Sequence, residues 1–122
     1  MLHHLSFGVS DIVRASKFYD AVLAPLGYSR VYTSESFVGY GVEEGKDKFA
    51  LKLDIDGAAP GSGFHLAFSA PSQQAVDQFH ELALQHGATD NGLPSLRKQY
   101  GPHYYAAFVI DPDGHRIEAV TN

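Results

Sequence analysis

Two histidines stand 61 residues apart, each heading a matching stretch: His4-Leu5-Ser6-Phe7 and His65-Leu66-Ala67-Phe68. The spacing is half of the 122-residue chain. At that offset Phe18 falls on Phe79 and Leu23 on Leu84, while Gly27 and Gly87 match with one residue of slippage. Self-similarity of this kind marks one module present twice. Near the end Glu118 sits in Ile117-Glu118-Ala119, which the strand pattern matches to Leu51-Lys52-Leu53 in the first half. Two imidazoles and a carboxylate form a donor set suited to a divalent metal that keeps open positions for water, substrate or oxygen.

Taken singly, each residue has a plainer use. A histidine on a strand is more often packed or solvated than a ligand, and Glu118 can form an ion pair with Arg116 or Lys52. His3 has no counterpart in the second half and reads as surface. The metal gains from the repeat, because the liganding types fall on symmetric, same-facing places.

The elements that would position these residues follow from periodicity. Residues 2–9 alternate, with Leu5, Phe7 and Val9 on one face and His4, Ser6 and Gly8 on the other, as in a strand lying on a hydrophobic layer. Ser10 and Asp11 offer an N-cap, and Ala15, Phe18, Tyr19, Val22, Leu23 and Leu26 then recur at helical spacing until Gly27, so the first helix covers roughly residues 11–24. Strand-like pieces follow at 28–33, 36–42 and 49–55, the last with Phe49, Leu51, Leu53 and Ile55 on the core face and Ala50, Lys52 and Asp54 opposite. A Gly/Pro/Ala linker at 57–63 divides a first module, about 1–57, from a second, about 64–122. There the order recurs: a strand at 64–70, a helix capped by Ser72 over 73–86, a polar stretch at 88–103 expected to hold one short strand and an irregular loop, and strands at 104–110 and 115–120 around the tight turn Asp111-Pro112-Asp113-Gly114. Each module reads βαβββ. If the modules pack about a pseudo-twofold axis, His4, His65, Lys52 and Glu118 can converge on one cavity.

Composition sets the bounds. The chain is 44% hydrophobic and 19% charged, with net charge −5, an ordinary globular balance of single-domain size. The nine basic residues form no run, which speaks against nucleic acid as a partner. Without cysteine there are no disulfides or thiolate metal sites, which fits a reducing compartment. Neither a leader nor a membrane-length apolar run is visible, so a cytoplasmic location with no membrane partner is expected.

The motifs also carry a resemblance. His4-x-x-x-x-Val9-Ser10-Asp11, Ser16-x-Phe18-Tyr19 and Leu26-Gly27 resemble the opening of the vicinal oxygen chelate superfamily, which includes glyoxalases, extradiol dioxygenases, fosfomycin-resistance enzymes and bleomycin-binding proteins. Phe108-x-x-Asp111-Pro112-Asp113-Gly114-x-x-Ile117-Glu118 is similar to that superfamily's last hairpin, so the resemblance spans essentially the whole chain. It implies an α+β fold of paired βαβββ modules whose mixed sheets curl around a central cleft. It further implies one divalent metal (Fe, Mn, Zn or Ni) held by His4, His65 and Glu118. Glyoxalase I has a second glutamate on the fourth strand, where this chain places Lys52, so glyoxalase I itself fits poorly. An ammonium does not ligate a metal while protonated and repels a cation. Lys52 can instead hold an anionic substrate group or act as a base.

The resulting expectation is a metal-dependent lyase, isomerase or ring-cleavage dioxygenase acting on a small molecule with neighbouring oxygens, with Glu118, Tyr104, His103 and Lys52 as catalytic candidates. A non-catalytic small-molecule-binding protein of the bleomycin-resistance type is the alternative, since the chain is acidic and holds seven Tyr and eight Phe. Small members of the superfamily pair, so a homodimer is expected, with His4 and His65 meeting within one chain or across its interface. Tyr104 and Tyr105 must face opposite sides of their strand. A cleft-facing Tyr104 or the neighbouring His103 can supply a proton or bind an oxyanion. The same rings can equally staple a rim loop to the core.

Overall fold

The computed structural model describes residues 1–122. Its first module runs β1 (Leu5–Val9), α1 (Ile12–Leu23), β2 (Ser29–Thr33), β3 (Phe37–Gly41) and β4 (Phe49–Leu53). The second runs β5 (Leu66–Ser69), α2 (Gln73–Gln85), β6 (Thr89–Leu96), β7 (Tyr105–Ile110) and β8 (Arg116–Thr121). Each module builds its own four-stranded sheet, ordered β1-β4-β3-β2 and β5-β8-β7-β6. The first and last strands of each module pair in parallel, as β1 with β4 and β5 with β8. The remaining pairs are antiparallel, and neither sheet closes into a barrel.

The two helices use the same devices at both ends. The Asp11 carboxylate accepts from the Arg14 N–H, and the Ser72 hydroxyl accepts from the Ala75 N–H. Gly27 at φ +91° and Gly87 at φ +99° turn the chain out of the helices. Those turns let Tyr28 N–H reach the Leu23 carbonyl and Ala88 N–H the Ala83 carbonyl. Between these stops the apolar stripes face inward: Ala15, Phe18, Tyr19, Val22 and Leu23 on α1, and Val76, Phe79 and Ala83 on α2, are all buried.

The modules share one core. Phe7, Phe49, Phe68, Val76, Val109 and Ile117 belong to a single cluster of 21 buried side chains, and α1 packs on α2. A polar tie runs beside it. Asp111 accepts from the hydroxyl of Tyr19 at 2.5 Å and from the backbone N–H groups of Asp113 and His115. Buried His115 stacks on Phe7, with ring centroids 4.0 Å apart and planes 3° from parallel. Arg14 on α1 pairs with Asp113 at 2.5 Å. The Asp-Pro-Asp-Gly turn of the second module is therefore fastened to the first module's helix.

Three expectations need revision. β4 stops at Leu53, because Asp54 starts a turn in which Gly57 N–H returns to its carbonyl; Ile55 is left 74% exposed rather than on the core face. β3 ends at Gly41, so Val42 lies outside the strand and is exposed. β6 is not a short piece but eight residues long. Asp90, Gly92 and Pro94 disfavour an inner strand, but at a sheet edge the unpaired side and two register shifts, at Asp90/Gly92 and Gly92/Ser95, accommodate them.

Candidate functional site

Burying the helix-side faces leaves the opposite face of each sheet to line something else. On the second sheet that face carries His65 ahead of β5, Glu118 on β8, Tyr104 just before β7 and Phe108 along it. Glu118 is 1% exposed, a carboxylate almost wholly removed from water, and such a group needs partners. Both its oxygens have one: Oε2 accepts from the Tyr104 hydroxyl at 2.5 Å, and Oε1 lies 3.2 Å from His65 Nε2. Neither Arg116 nor Lys52 forms the ion pair weighed from sequence. Burial, reinforced by Glu118, raises the Tyr104 phenol to about 12, so at neutral pH it keeps its proton and acts as a donor. Tyr105 faces the other way, its hydroxyl donating to Asp77 of α2 at 2.6 Å.

The His65–Glu118 spacing suits a shared cation. Two ligands at right angles, each about 2.1 Å from one ion, stand roughly 3.0 Å apart, and tetrahedral ones roughly 3.4 Å. The observed 3.2 Å falls between these, and the imidazole remains half in solvent with its side chain 57% exposed. The same distance is that of a direct imidazole–carboxylate contact, and it leaves room for two donors of one divalent ion.

His4 is elsewhere. It lies just before β1, with its Nδ1 2.8 Å from that of His3, on a mainly apolar cleft of about 240 Å³ at the seam between modules. Ala67 and Ser69 of β5 line that cleft, but His65, Glu118 and Tyr104 do not. No cluster of three or more His, Asp or Glu side chains within the chain is placed to hold a metal. The modules share one core, and His4 sits at their seam, beside the far end of β5 rather than beside Glu118. Lys52 and His103 are exposed.

Strand register also moves a match made from sequence. β1 pairs Ser6 with Ala50, and β5 pairs Ala67 with Glu118. Since Ser6 and Ala67 are repeat partners, the first-module counterpart of Glu118 is Ala50, and Lys52 lies one side-chain repeat further on. That place still offers no carboxylate.

The profile of the Glyoxalase/Bleomycin resistance protein/Dioxygenase superfamily matches residues 1–119. The chain belongs to this superfamily. It is 32% identical to the metallothiol transferase FosB of Shouchella clausii, over 98% of this chain and 79% of that protein. It is 30% identical to the uncharacterised YqjT of Bacillus subtilis, over 98% and 97%. Among solved structures, a glyoxalase/bleomycin resistance protein from Albidiferax ferrireducens superposes with a TM-score of 0.83 at 31% identity, over 98% of this chain and 97% of the other. The fosfomycin resistance protein FosX of Mesorhizobium loti, at 21% identity and TM-score 0.69, shares the fold over 100% and 92%. No helix of this superfamily member is long and apolar enough to cross a membrane.

One residue on the Glu118 face was not singled out from sequence. Arg97 follows β6, where its backbone N–H donates to the Tyr104 carbonyl at 2.7 Å. Its guanidinium folds back over Phe108, 5.2 Å from the ring centroid, and Nη2 donates to the Leu93 carbonyl at 2.6 Å. Its Nε is buried without an acceptor, at a cost of about 1–3 kcal/mol. A lone Arg in a polar stretch gives no signal of this. Only the bulged course of β6 brings it over the sheet.

Proposed function

We propose that this chain is a metal-dependent enzyme that transforms a small molecule with neighbouring oxygens. The observation that carries the reading is the buried Glu118, held by Tyr104 on one oxygen and facing His65 with the other. His65 and Glu118, joined by His4 of the partner subunit in a homodimer, would hold one divalent ion. When bound, the ion would supply Lewis-acid polarisation of substrate oxygens. Imidazole and carboxylate donors leave Fe, Mn, Zn and Ni all open. The two-donor set in one chain and the exposed position of His4 support sharing between subunits. So do exposed apolar side chains on both modules, among them Val42, Leu53, Ile55, Leu93 and Leu96.

The chain's own residues have distinct tasks. Tyr104 fixes the rotamer of Glu118 and keeps a proton at its phenol oxygen beside the site, where it can be given to a developing oxyanion. Tyr100 packs edge-on against Tyr104, with centroids 5.3 Å apart, and backs the phenol from the solvent side. Lyase, isomerase, group-transfer or dioxygenase chemistry all meet these requirements, and FosB is a relative whose name records a metallothiol transfer.

The test is metal content of untagged protein loaded in turn with Fe(II), Mn(II), Ni(II) and Zn(II), together with mass in solution. One ion per chain, lost in His65→Ala and in His4→Ala, with a dimer by light scattering, is the expected result. A monomer that binds no metal but does bind small aromatic ligands would replace the enzyme with a binding protein of the bleomycin-resistance type. Once turnover is found, Tyr104→Phe lowers it roughly 10²-fold if the phenol is the acid.

A further inference from the structure

We infer that the seam cleft beside His4 is a second ligand site, built for a single aromatic ring that carries a carboxylate. It uses neither His65 nor Glu118 and does not rest on the metal reading. The repeat supplies the argument, because it gives the seam two ends that can be compared. At one end Phe7 of β1 is closed off by two rings. His115 stacks on its face, with centroids 4.0 Å apart, and Phe64 meets it edge-on at 6.1 Å. At the offset of 61 residues the counterpart of Phe7 is Phe68 of β5, and that of Phe64 is His3. His3 does not close the other end. It is exposed and turns to His4, Nδ1 to Nδ1 at 2.8 Å. The place of His115, three residues before Glu118, falls on Asp47, three before Ala50. Asp47 lies instead over Gly39, where an added Cβ would meet its Cβ at 2.8 Å. Phe68 therefore has one ring neighbour, Phe49, edge-on at 5.2 Å, and no ring stacked on its face.

The two missing rings leave the cleft of about 240 Å³, walled by Leu5, Leu23, Tyr28, Tyr40, Phe49 and Phe68. An apolar cavity of about 150 Å³ is enough to hold benzene, so this one has room for a ring with a substituent. Phe68 offers that ring the stacking surface that Phe7 offers His115. The Tyr40 hydroxyl is already engaged, donating to the Ser16 carbonyl and the Asp20 carboxylate, so polar recognition falls to the rim. The rim has His3, His4, Lys48 and Ser69, all exposed, and no carboxylate. Lys48 takes part in none of the chain's ion pairs. A free ammonium with no acid beside it favours an anionic substituent over a cationic one.

The experiment is an NMR titration of the full chain with benzoate, cyclohexanecarboxylate and benzylamine, at constant ionic strength. Benzoate should bind saturably, with nuclear Overhauser contacts from its ring to Phe68 and Leu23. Cyclohexanecarboxylate, of similar size but without a π face, and benzylamine, of opposite charge, should each bind several-fold more weakly. Phe68→Leu should weaken benzoate about 2- to 10-fold. His3→Phe restores the ring present at the other end and should weaken benzoate about tenfold or more by filling the space. His3 is exposed, so this variant leaves the core intact where Phe68→Leu disturbs it. Lys48→Gln should erase the preference for benzoate over benzylamine. Leu93→Ser, which removes an exposed apolar side chain away from the cleft, should change nothing. His65→Ala should abolish metal uptake and leave benzoate binding intact, so either claim can fail alone. Benzoate contacts to Tyr104 or Phe108 in place of Phe68, equal affinity for benzoate and cyclohexanecarboxylate, unchanged affinity in His3→Phe, or no saturable binding overturns the proposal.

Discussion

The outward faces of the two modules share a backbone plan and differ in what they hold. In the second, Glu118 is opposed by Phe108, over whose ring Arg97 lies, and flanked by Tyr104 and His65. In the first, register puts Ala50 and Gly39 at the places of Glu118 and Phe108. The space is closed there: a Cβ on Gly39 would lie 2.8 Å from Asp47 Cβ, and one on Gly41 2.5 Å from the Lys46 carbonyl. The β3–β4 connection therefore lies across the first module's face. The β7–β8 connection of the second module is drawn away by Tyr19, Arg14 and Phe7. Where a hairpin loop is fastened decides which copy of the module has an accessible face, and chemistry follows access.

The sharpest way to break that comparison is to make the faces alike. Ala50→Glu places a carboxylate at the equivalent of Glu118, at a position whose exposure is zero, with Lys52 the next residue along the same strand face. A loss of about 3–5 kcal/mol is expected from denaturant unfolding, because Lys52 is exposed and too well solvated to offset the desolvation of a charge buried at position 50. A loss below about 1 kcal/mol would show that the first face opens readily. The fastening of the second loop comes next. Tyr19→Phe removes a buried bond to the Asp111 carboxylate and should cost about 1.5–3 kcal/mol. It should also soften alkaline unfolding. Burial and Asp111 raise the Tyr19 phenol well above its ordinary value of 10.0. The stability it contributes is complete below pH 10 and drains away as pH rises toward the folded value. An alkaline limb unchanged in the variant would place the coupling elsewhere. Tyr104→Phe tests the working face itself. Losing the donor that fixes Glu118 should weaken metal affinity about 10- to 100-fold, read by competition with a chelator. Unchanged affinity would leave the phenol no positioning role.

Much of this was legible in the sequence because repetition and periodicity report on burial. The helices, their caps and the core face of β1 follow from where Phe7, Val9, Phe18 and Phe79 recur. That His65 and Glu118 share one sheet face was legible through the repeat and the family resemblance. The strand register was not. Ile117-Glu118-Ala119 resembles Leu51-Lys52-Leu53 as a pattern of apolar and polar, and a period of two cannot distinguish Ala50 from Lys52 as the partner place. β6 was obscured for a different reason: edge strands tolerate Pro94 and Gly92, so composition argues against a strand that tertiary pairing imposes. Arg97 was hidden with it. Nor does a one-chain sequence say which faces meet, so His4 matched His65 in type while sitting at the module seam, away from Glu118.

The smallest expected effect concerns two clips that the repeat built with reversed polarity. In the first module Asp20 of α1 holds Arg30 of β2, with contacts of 2.8 and 2.7 Å. Sixty residues on, His80 of α2 holds Asp90 of β6 at 2.8 Å. The carboxylate has moved from helix to strand, and the nitrogen partner has changed from a guanidinium to an imidazole. His80, with help from the Gly92 N–H, holds the Asp90 carboxyl below its usual range. A lowered folded value contributes stability above the unfolded value near pH 3.9, and that stability is lost as pH falls through the folded one. Asp90→Asn should therefore be less stable than wild type at pH 6, with the deficit shrinking below about pH 4 and vanishing in stronger acid. Because Asp90 is exposed, added salt should shrink it too. Asp20→Asn is the companion measurement, since its partner stays charged throughout. A deficit in Asp90→Asn that persists unchanged at pH 2.5 would mean the aspartate acts through the Gly92 turn alone, and the two clips would not be equivalent.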